Sequence, residues 1–291
     1  MRIAYLGPAG TFSEDALRQS GFAPEGFTPV PCDTIPAVIE AIGRGSADRA
    51  LAPIENSIEG SVRGTLDGLV EQADVIAIGG EYDHQIRSAL ISRRPIELDR
   101  IAAVISHPQP LAQCARFLRD ELPQAELKVA TSTSAAALEV SRSDLALAAL
   151  APAAAAAIYD CEILREGIED EPGNVTRFVW LLPRGADSTA DLRTGPDGPW
   201  KTTLVFSELG ADHPGALVDA LLEFSKREIN LARIESRPLR RELGRYRFFI
   251  DVEGRDSDAG VAEAISGLRD KAESVRILGS YPGSPTDSKP A

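Results

Sequence analysis

Hydroxyls, amides and one guanidinium stand at turns and strand ends along this chain: Thr11, Ser13, Asn56, Ser57, Ser132, Thr133, Thr176 and Arg177. Gathered around one crevice, they would supply neutral donors and helix N-termini. That suits a small carboxylate ligand and acid-type help to a leaving group. Taken one at a time, each is more often a helix cap or a turn former. Ser13, two residues before Asp15, and Asn56, before Ser57, fit that role as well. The stretch EPGNVTRFVWLLP, from Glu171 to Pro183, poses the choice most sharply. After a Pro-Gly break come Asn174, Val175, Thr176 and Arg177, and then the apolar run from Phe178 to Leu182. Extended side chains alternate faces, so Asn174, Thr176, Phe178 and Trp180 share one side and Arg177 points to the other. Polar groups at the threshold of a buried strand either finish the strand or belong to a site built at its rim.

Several chemistries lack their residues. His84, His107 and His213 are isolated, with no acid or second histidine at metal-ligand spacing, so no metal is expected. GPAG after the first apolar run is not a full G-x-G-x-x-G, no P-loop occurs elsewhere, and no Ser/His/Asp order or nucleophile elbow is visible. Cys32, Cys114 and Cys161 form no CxxC pair, which argues against a disulfide framework or zinc knuckle and for a reducing compartment. A net charge of -13 disfavours nucleic acid and anionic membranes as partners. It also means that an anionic substrate must be held locally, against the overall field. MRIAYLG reads as a first strand, not as a signal peptide. The most apolar window, residues 145–159, is short, alanine-rich and broken by Pro152, so no membrane span and a cytoplasmic location are expected.

The elements that would position these groups alternate along the 291 residues, a length that suggests about two domains. RIAYLG, ADRALAPIE, DVIAIGGE and HQIRSALIS read as strands, and Ser13 to Leu17 as a helix start. IPAVIEAIGRG carries Ile35, Val38, Ile39 and Ile42 at helical spacing. IAAVISHPQPLAQCARFLRDEL passes from a strand through a Pro-marked turn into a helix with Leu111, Cys114, Leu118 and Leu122 inward, and ELKVATSTSAAALEV repeats the theme. This is an α/β pattern with a mainly parallel sheet, whose ligands bind beyond the carboxyl ends of the strands. PRGADSTADLRTGPDGPWK reads as a linker. Beyond it the order β-α-β-β-α-β, with Leu217, Ala220, Leu221 and Phe224 on the inner face of its first helix, is that of a ferredoxin-like motif.

GPAGTFSE, PIENSIEGSV, SHPQPLAQC, TSTSAAA and NVTRF, in this order and spacing, resemble the prephenate dehydratase family. HPGALV, NLARIESRP and YRFFIDVEG resemble the ACT regulatory domain usually fused to it. The likeness spans nearly the whole chain except linker and tail. It implies an α/β protein with a two-lobed, type 2 periplasmic-binding-protein-like catalytic region over 1–183 and a ferredoxin-like ACT domain over 201–281. A linker at 184–200 joins them and a disordered tail follows from 282 to 291. The implied reaction converts prephenate to phenylpyruvate, water and carbon dioxide in phenylalanine biosynthesis, with neither cofactor nor metal. Thr176, in the Thr-Arg-Phe triplet, matches the family's activity-bearing threonine. Thr11, Ser13, Asn56, Ser57, Ser132, Thr133, Arg177 and Phe178 are expected around the substrate. L-Phenylalanine, as allosteric effector, is expected between the C-terminal domains of a homo-oligomer, a dimer or tetramer associating through its ACT and catalytic domains. Its expected contacts are Gly215, Ala216, Leu217, Asn230, Leu231, Glu235, Ser236, Arg237 and Pro238.

Two positions depart from the family: Pro152 stands where a serine is frequent, and Ala232 where a threonine follows Asn-Leu. Two other functions fit the same pattern. Arogenate dehydratase differs by one amino group on the substrate, and a non-catalytic amino-acid sensor would use the same folds. The intact Thr-Arg-Phe triplet separates the sensor, which has no need of it.

Overall fold

The structure is a computed structural model that describes residues 1–186, 199–209, 214–239 and 244–283. Most of the expected linker, His213 and the tail beyond 283 lie outside these residues.

Apolar strands alternate with helices as the sequence pattern requires. The order is β1 (Arg2–Leu6), α1 (Phe12–Gln19), β2 (Thr28–Cys32), α2 (Ile35–Gly43), β3 (Arg49–Asn56), β4 (Gly60–Ser61), α3 (Arg63–Glu71), β5 (Ile76–Gln85) and β6 (Ser88–Ser92). Then follow β7 (Ala103–Ser106), α4 (Pro108–Gln113), α5 (Ala115–Glu121), β8 (Glu126–Val129), α6 (Thr133–Ser141), β9 (Leu147–Pro152), α7 (Ala153–Tyr159), β10 (Glu162–Glu166) and β11 (Val175–Pro183). One sheet has the order β2-β1-β3-β11-β5, with β4 folded back on β3, and a second the order β10-β6-β9-β7-β8. The chain leaves the first sheet after β5 and returns to it only with β11. This gives the two α/β lobes that the motifs implied. The second sheet is mixed rather than mainly parallel: β7 runs parallel to β8 and β9, whereas β6 and β10 are antiparallel additions.

By packing, the chain forms two units: Met1–Val38, Leu51–Val62 and Asp83–Phe178 in one, Ile39–Ala50, Arg63–Tyr82 and Val179–Ala291 in the other. In the first unit the central strands of the second sheet, β6, β9 and β7, are buried on both faces, as in α/β proteins generally, while the edge strands β10 and β8 are largely exposed. Ala89, Ile91, Ala149 and Ala151 face α6 and α7 through an alanine-rich layer that allows close helix approach. Leu90, Val104, Ala148 and Leu150 face the other way onto Cys114, Leu118 and Leu122. The helix expected across Cys114 is divided there into α4 and α5.

In the second unit, β12 (Trp200–Ser207), α8 (Ala216–Ser225), β13 (Leu231–Pro238), β14 (Tyr246–Glu253), α9 (Ala259–Arg269) and β15 (Ser274–Pro282) form an antiparallel sheet of order β13-β14-β12-β15. Both helices cover one face through Leu204, Phe206, Ala220, Phe224, Ile250 and Leu268. Residues at alternate positions belong to the other face. That face buries polar groups beside apolar Val205 and Phe249, with Arg233 bonded to Asp251 and Asp251 to Thr203. Residues of α3 and β5 meet it, through Asp67 on Arg237, Glu81 on Lys201 and Ile78 beside Gly279. No helix among the described residues is long and apolar enough to cross a membrane.

Candidate active site

The turn after β1 is fixed before it can be used. Thr11 caps α1 by accepting from the Glu14 amide at 3.4 Å and donates its own proton to the Leu6 carbonyl at 2.9 Å. Buried Glu14 accepts from the Gly10 amide at 2.6 Å. Gly10 has φ +80°, and a side chain there would meet the Tyr159 ring at 2.8 Å. Tyr159 donates to the Ala9 carbonyl at 2.6 Å, and burial raises its phenol above the usual range, keeping it a donor. The Thr11 hydroxyl is thus consumed by the backbone. What α1 offers a ligand is its first-turn amides, which have no acceptor within the helix. Ser132 is likewise a cap, accepting from the Ala135 amide at 3.0 Å at the head of α6.

At the ends of β3 and β11 a denser arrangement forms. The Asn56 carbonyl oxygen accepts from the amides of Ile58 and Glu59, each at 3.0 Å, which fixes the orientation of the side-chain amide. Its NH₂ group then donates to Asn174 Oδ1 at 2.7 Å and to Thr176 Oγ1 at 2.9 Å. A hydroxyl that accepts from an amide keeps its own proton to give elsewhere. Asn174 donates onward to Gln113 Oε1 at 3.2 Å, linking the end of β11 to α4. Ser57 is occupied by the strand ends, accepting from the Val175 amide at 3.0 Å. Arg177 points away from Thr176 and pairs with Glu55.

A cavity of about 510 Å³ lies over these groups, lined by Thr11, Ser13, Asn56, Thr176, Phe178, Ser132 and Thr133, and also by Gly60, Val62, Ile86, His107 and Gln113. Every lining residue belongs to the first unit. Its charged side chains are the carboxylates of Asp33 and Glu59, and no lysine or arginine lines it among the described residues. Behind the wall, buried His84 contacts Asp15 at 3.1 Å and the edge of the Phe178 ring. His107 is the cap of α4, accepting from the Gln109 amide.

In the C-terminal part, Gly215, Ala216 and Leu217 line a second cavity of about 290 Å³ together with Leu239, Arg245, Tyr246 and Phe248. Gly215 has φ +99°, a conformation that other residues adopt only under strain. The remaining expected effector residues lie along β13 and its approach. Asn230 donates to Glu253 at 2.6 Å, Leu231 packs on the apolar core, and Arg237 is engaged with Asp67. Glu235, Ser236 and Pro238 stand opposite Phe249, Phe248 and Tyr246 of β14.

A model of the prephenate dehydratase family matches residues 3–185, and a model of the ACT domain matches residues 203–270. The chain belongs to the prephenate dehydratase family. The prephenate dehydratase of Mycobacterium sp. (strain JLS) is 45% identical over 292 residues, spanning 97% of this chain and 89% of that protein. Among solved structures, Arthrobacter aurescens prephenate dehydratase in complex with L-Phe is 37% identical, with a TM-score of 0.86 over 100% of this chain and 92% of that one. GqqA, described as a novel type of quorum quenching acylase, is 33% identical, with a TM-score of 0.85 over 98% of this chain and 99% of that one.

Gln113, Val62 and Ile86 line the cavity of this prephenate dehydratase family member without standing out in the sequence, where His107 stands out only as an isolated histidine. Gln113 and His107 lie inside the quoted SHPQPLAQC, but a proline-marked turn explains that stretch equally well. The amide-to-amide chain from Gln113 through Asn174 to Asn56 has no sequence signal, because its members stand 61 and 118 positions apart and leave no local pattern.

Proposed function

We propose that the chain is a carbon-oxygen lyase that takes prephenate to phenylpyruvate, with L-phenylalanine as its feedback effector. The observation that carries the reading is the Asn56–Thr176 contact, with Oγ1 accepting at 2.9 Å on the wall of the cavity. In the reaction the bond from the ring to its carboxylate breaks and its electrons enter the ring. The carbon–oxygen bond to the 4-hydroxyl breaks in the same step. Carbon dioxide leaves, and the departing hydroxide takes up a proton to become water. Aromatisation supplies the driving force, so the protein has three tasks: hold two carboxylates, aid departure of oxygen and exclude water from the carboxylate that leaves. Thr176 is the catalytic residue in this scheme, donating to the leaving oxygen while Asn56 holds its lone pairs. Phe178 and Ile86 supply apolar wall, and the N-termini of α1 and α6 supply amides for carboxylates. Arg177, engaged with Glu55, is assigned no carboxylate. As the nucleophile of an acylase, Thr176 would need a base beside it, whereas the side chain bonded to it is an amide that donates and cannot take the proton.

The domain limits follow the same reading: 1–183 catalytic, 184–200 linker, 201–281 regulatory and 282–291 tail. Association of copies through the C-terminal domain is supported by its edge strand β13, whose Ile234 is 48% exposed, and by Val218 and Leu222 exposed one turn apart on α8. The Arthrobacter aurescens relative was solved with L-Phe, which supports the same effector here.

The test is ultraviolet detection of the aromatic product from prephenate and from arogenate by the full chain, run side by side. Phenylpyruvate from prephenate, with arogenate turned over at least about tenfold more slowly, a difference of 1.4 kcal/mol in the barrier, is the expected result. Preference for arogenate would transfer the assignment to that substrate. Inactivity on both would favour the sensor.

A further inference from the structure

Arg237 lies in the ESRP stretch expected at the effector, but its fork is aimed elsewhere. Nε donates to Asp67 Oδ1 at 3.1 Å and Nη2 to Oδ2 at 2.7 Å, with Arg237 7% exposed. Such a bidentate pair fixes orientation as well as distance. Asp67 belongs to α3, and the residue before α3 in the chain is Val62, which with Gly60 and Ser61 walls the substrate cavity. Lys201 makes a second tie, donating to Glu81 of β5 at 2.8 Å with both side chains almost wholly buried. Strand β5 runs on to Gln85, and the next residue, Ile86, is again cavity wall. Beside this tie β15 approaches so closely that a Cβ on Gly279 would stand 2.2 Å from the Ile78 carbonyl oxygen. The two elements held by the C-terminal sheet are therefore the two that continue directly into the wall of the cavity.

The chemistry of this seam favours a switch over a glue. Apolar surfaces slide with little change in energy, whereas a buried ion pair holds its energy only in one geometry, because its desolvation is repaid only there. A small shift of β13 would be felt at Asp67 as a loss of fit.

We propose that Arg237 is not an effector contact but the tie through which occupancy of the C-terminal site is transmitted along α3 to the cavity wall at Gly60–Val62, with Lys201–Glu81 as the fixed second point. The inference rests on the reading of L-phenylalanine as effector. Effector and substrate then alter each other's binding by the same factor, and cutting the tie reduces that factor without removing either site. The experiment uses the full chain, wild type and Asp67→Asn. It measures L-phenylalanine binding by calorimetry, and kcat/KM for prephenate with and without saturating L-phenylalanine. Asp67→Asn is expected to bind L-phenylalanine and to turn over prephenate within about threefold of wild type, while the effect of L-phenylalanine on kcat/KM shrinks at least about fivefold toward none. An unchanged effect in a variant that still binds would overturn the tie. Loss of binding in the variant would overturn it too, returning Arg237 to the effector site. Absence of binding by the wild type would overturn the effector reading itself, and the tie with it. A second measurement serves if the variant does not fold: amide hydrogen exchange of the wild type with and without L-phenylalanine. Exchange should change across residues 60–71, and protection there unaltered by bound L-phenylalanine would also overturn the proposal.

Discussion

Thr176 is useful because of what Asn56 does to it. A threonine hydroxyl free to rotate could spend its proton on any nearby carbonyl. With an amide donating to Oγ1 at 2.9 Å, the proton is left for an acceptor in the cavity. Thr176→Ala should therefore fold normally and lose about 10²–10⁴-fold in kcat, the range for a positioned proton-handling group, with Thr176→Ser retaining most activity. Asn56→Asp separates positioning from binding. The carboxylate still accepts from Ile58 and Glu59 but can no longer donate to Thr176. The bond to Asn174 goes with it, and each such hydrogen bond is worth about 1 kcal/mol or more, so kcat should fall by about tenfold or more while KM changes little. A raised KM with kcat intact would instead make Asn56 a contact of bound substrate. Thermal melting of both variants checks that the fold survives.

At the scale of elements, glycine decides how closely α2 meets α3 and β15 meets β5. A Cβ on Gly68 would meet the Ile39 Cδ1 methyl at 2.5 Å, the movable end of a side chain, whereas one on Gly279 would meet the Ile78 carbonyl oxygen at 2.2 Å. Gly279→Ala must therefore displace backbone and should cost about 1–3 kcal/mol. Gly68→Ala should cost less, since rotation of Ile39 and the better helix propensity of alanine, about 1 kcal/mol, offset the crowding. Thermal unfolding of the two variants ranks them, and a lower melting point for Gly68→Ala would contradict the comparison. Glycine also explains why α3 was not legible in the sequence. Gly64 and Gly68 are poor helix formers, and only the packing on Ile39 gives the second a reason. The strand–turn–helix alternation was legible, because periodicity two and periodicity near four are local properties. The junction of β5 and β6 was not. The sequence suggested a break before His84, but β5 continues to Gln85 and the chain turns at Ile86 and Arg87. Of the site, the residues at turns and strand ends could be chosen in advance because turns after strands are where α/β crevices form. Pairings such as Arg237 with Asp67, 170 positions apart, could not.

For the whole molecule the unresolved tension is charge. The chain carries a net charge of -13, and the cavity is lined by the carboxylates of Asp33 and Glu59 with no lysine or arginine among the described residues. Prephenate brings two further negative charges. Helix N-termini at α1 and α6 can hold carboxylates once they arrive, but a helix end acts over about one turn and cannot draw a dianion from solution. The long-range field opposes capture. Salt shortens that field, from a Debye length of roughly 30 Å at 0.01 M to about 8 Å at 0.15 M, and leaves short hydrogen bonds in the cavity nearly untouched. Most enzymes of charged substrates bind through attraction and slow down as salt rises. Here kcat/KM for prephenate should increase severalfold between about 0.01 M and 0.15 M monovalent salt, with kcat nearly constant. Initial rates at low substrate concentration, at fixed pH across that range, make the measurement. A fall in kcat/KM would mean that a cation near the cavity mouth steers the substrate after all, such as exposed Arg63 or Arg87 beside the wall residues Val62 and Ile86.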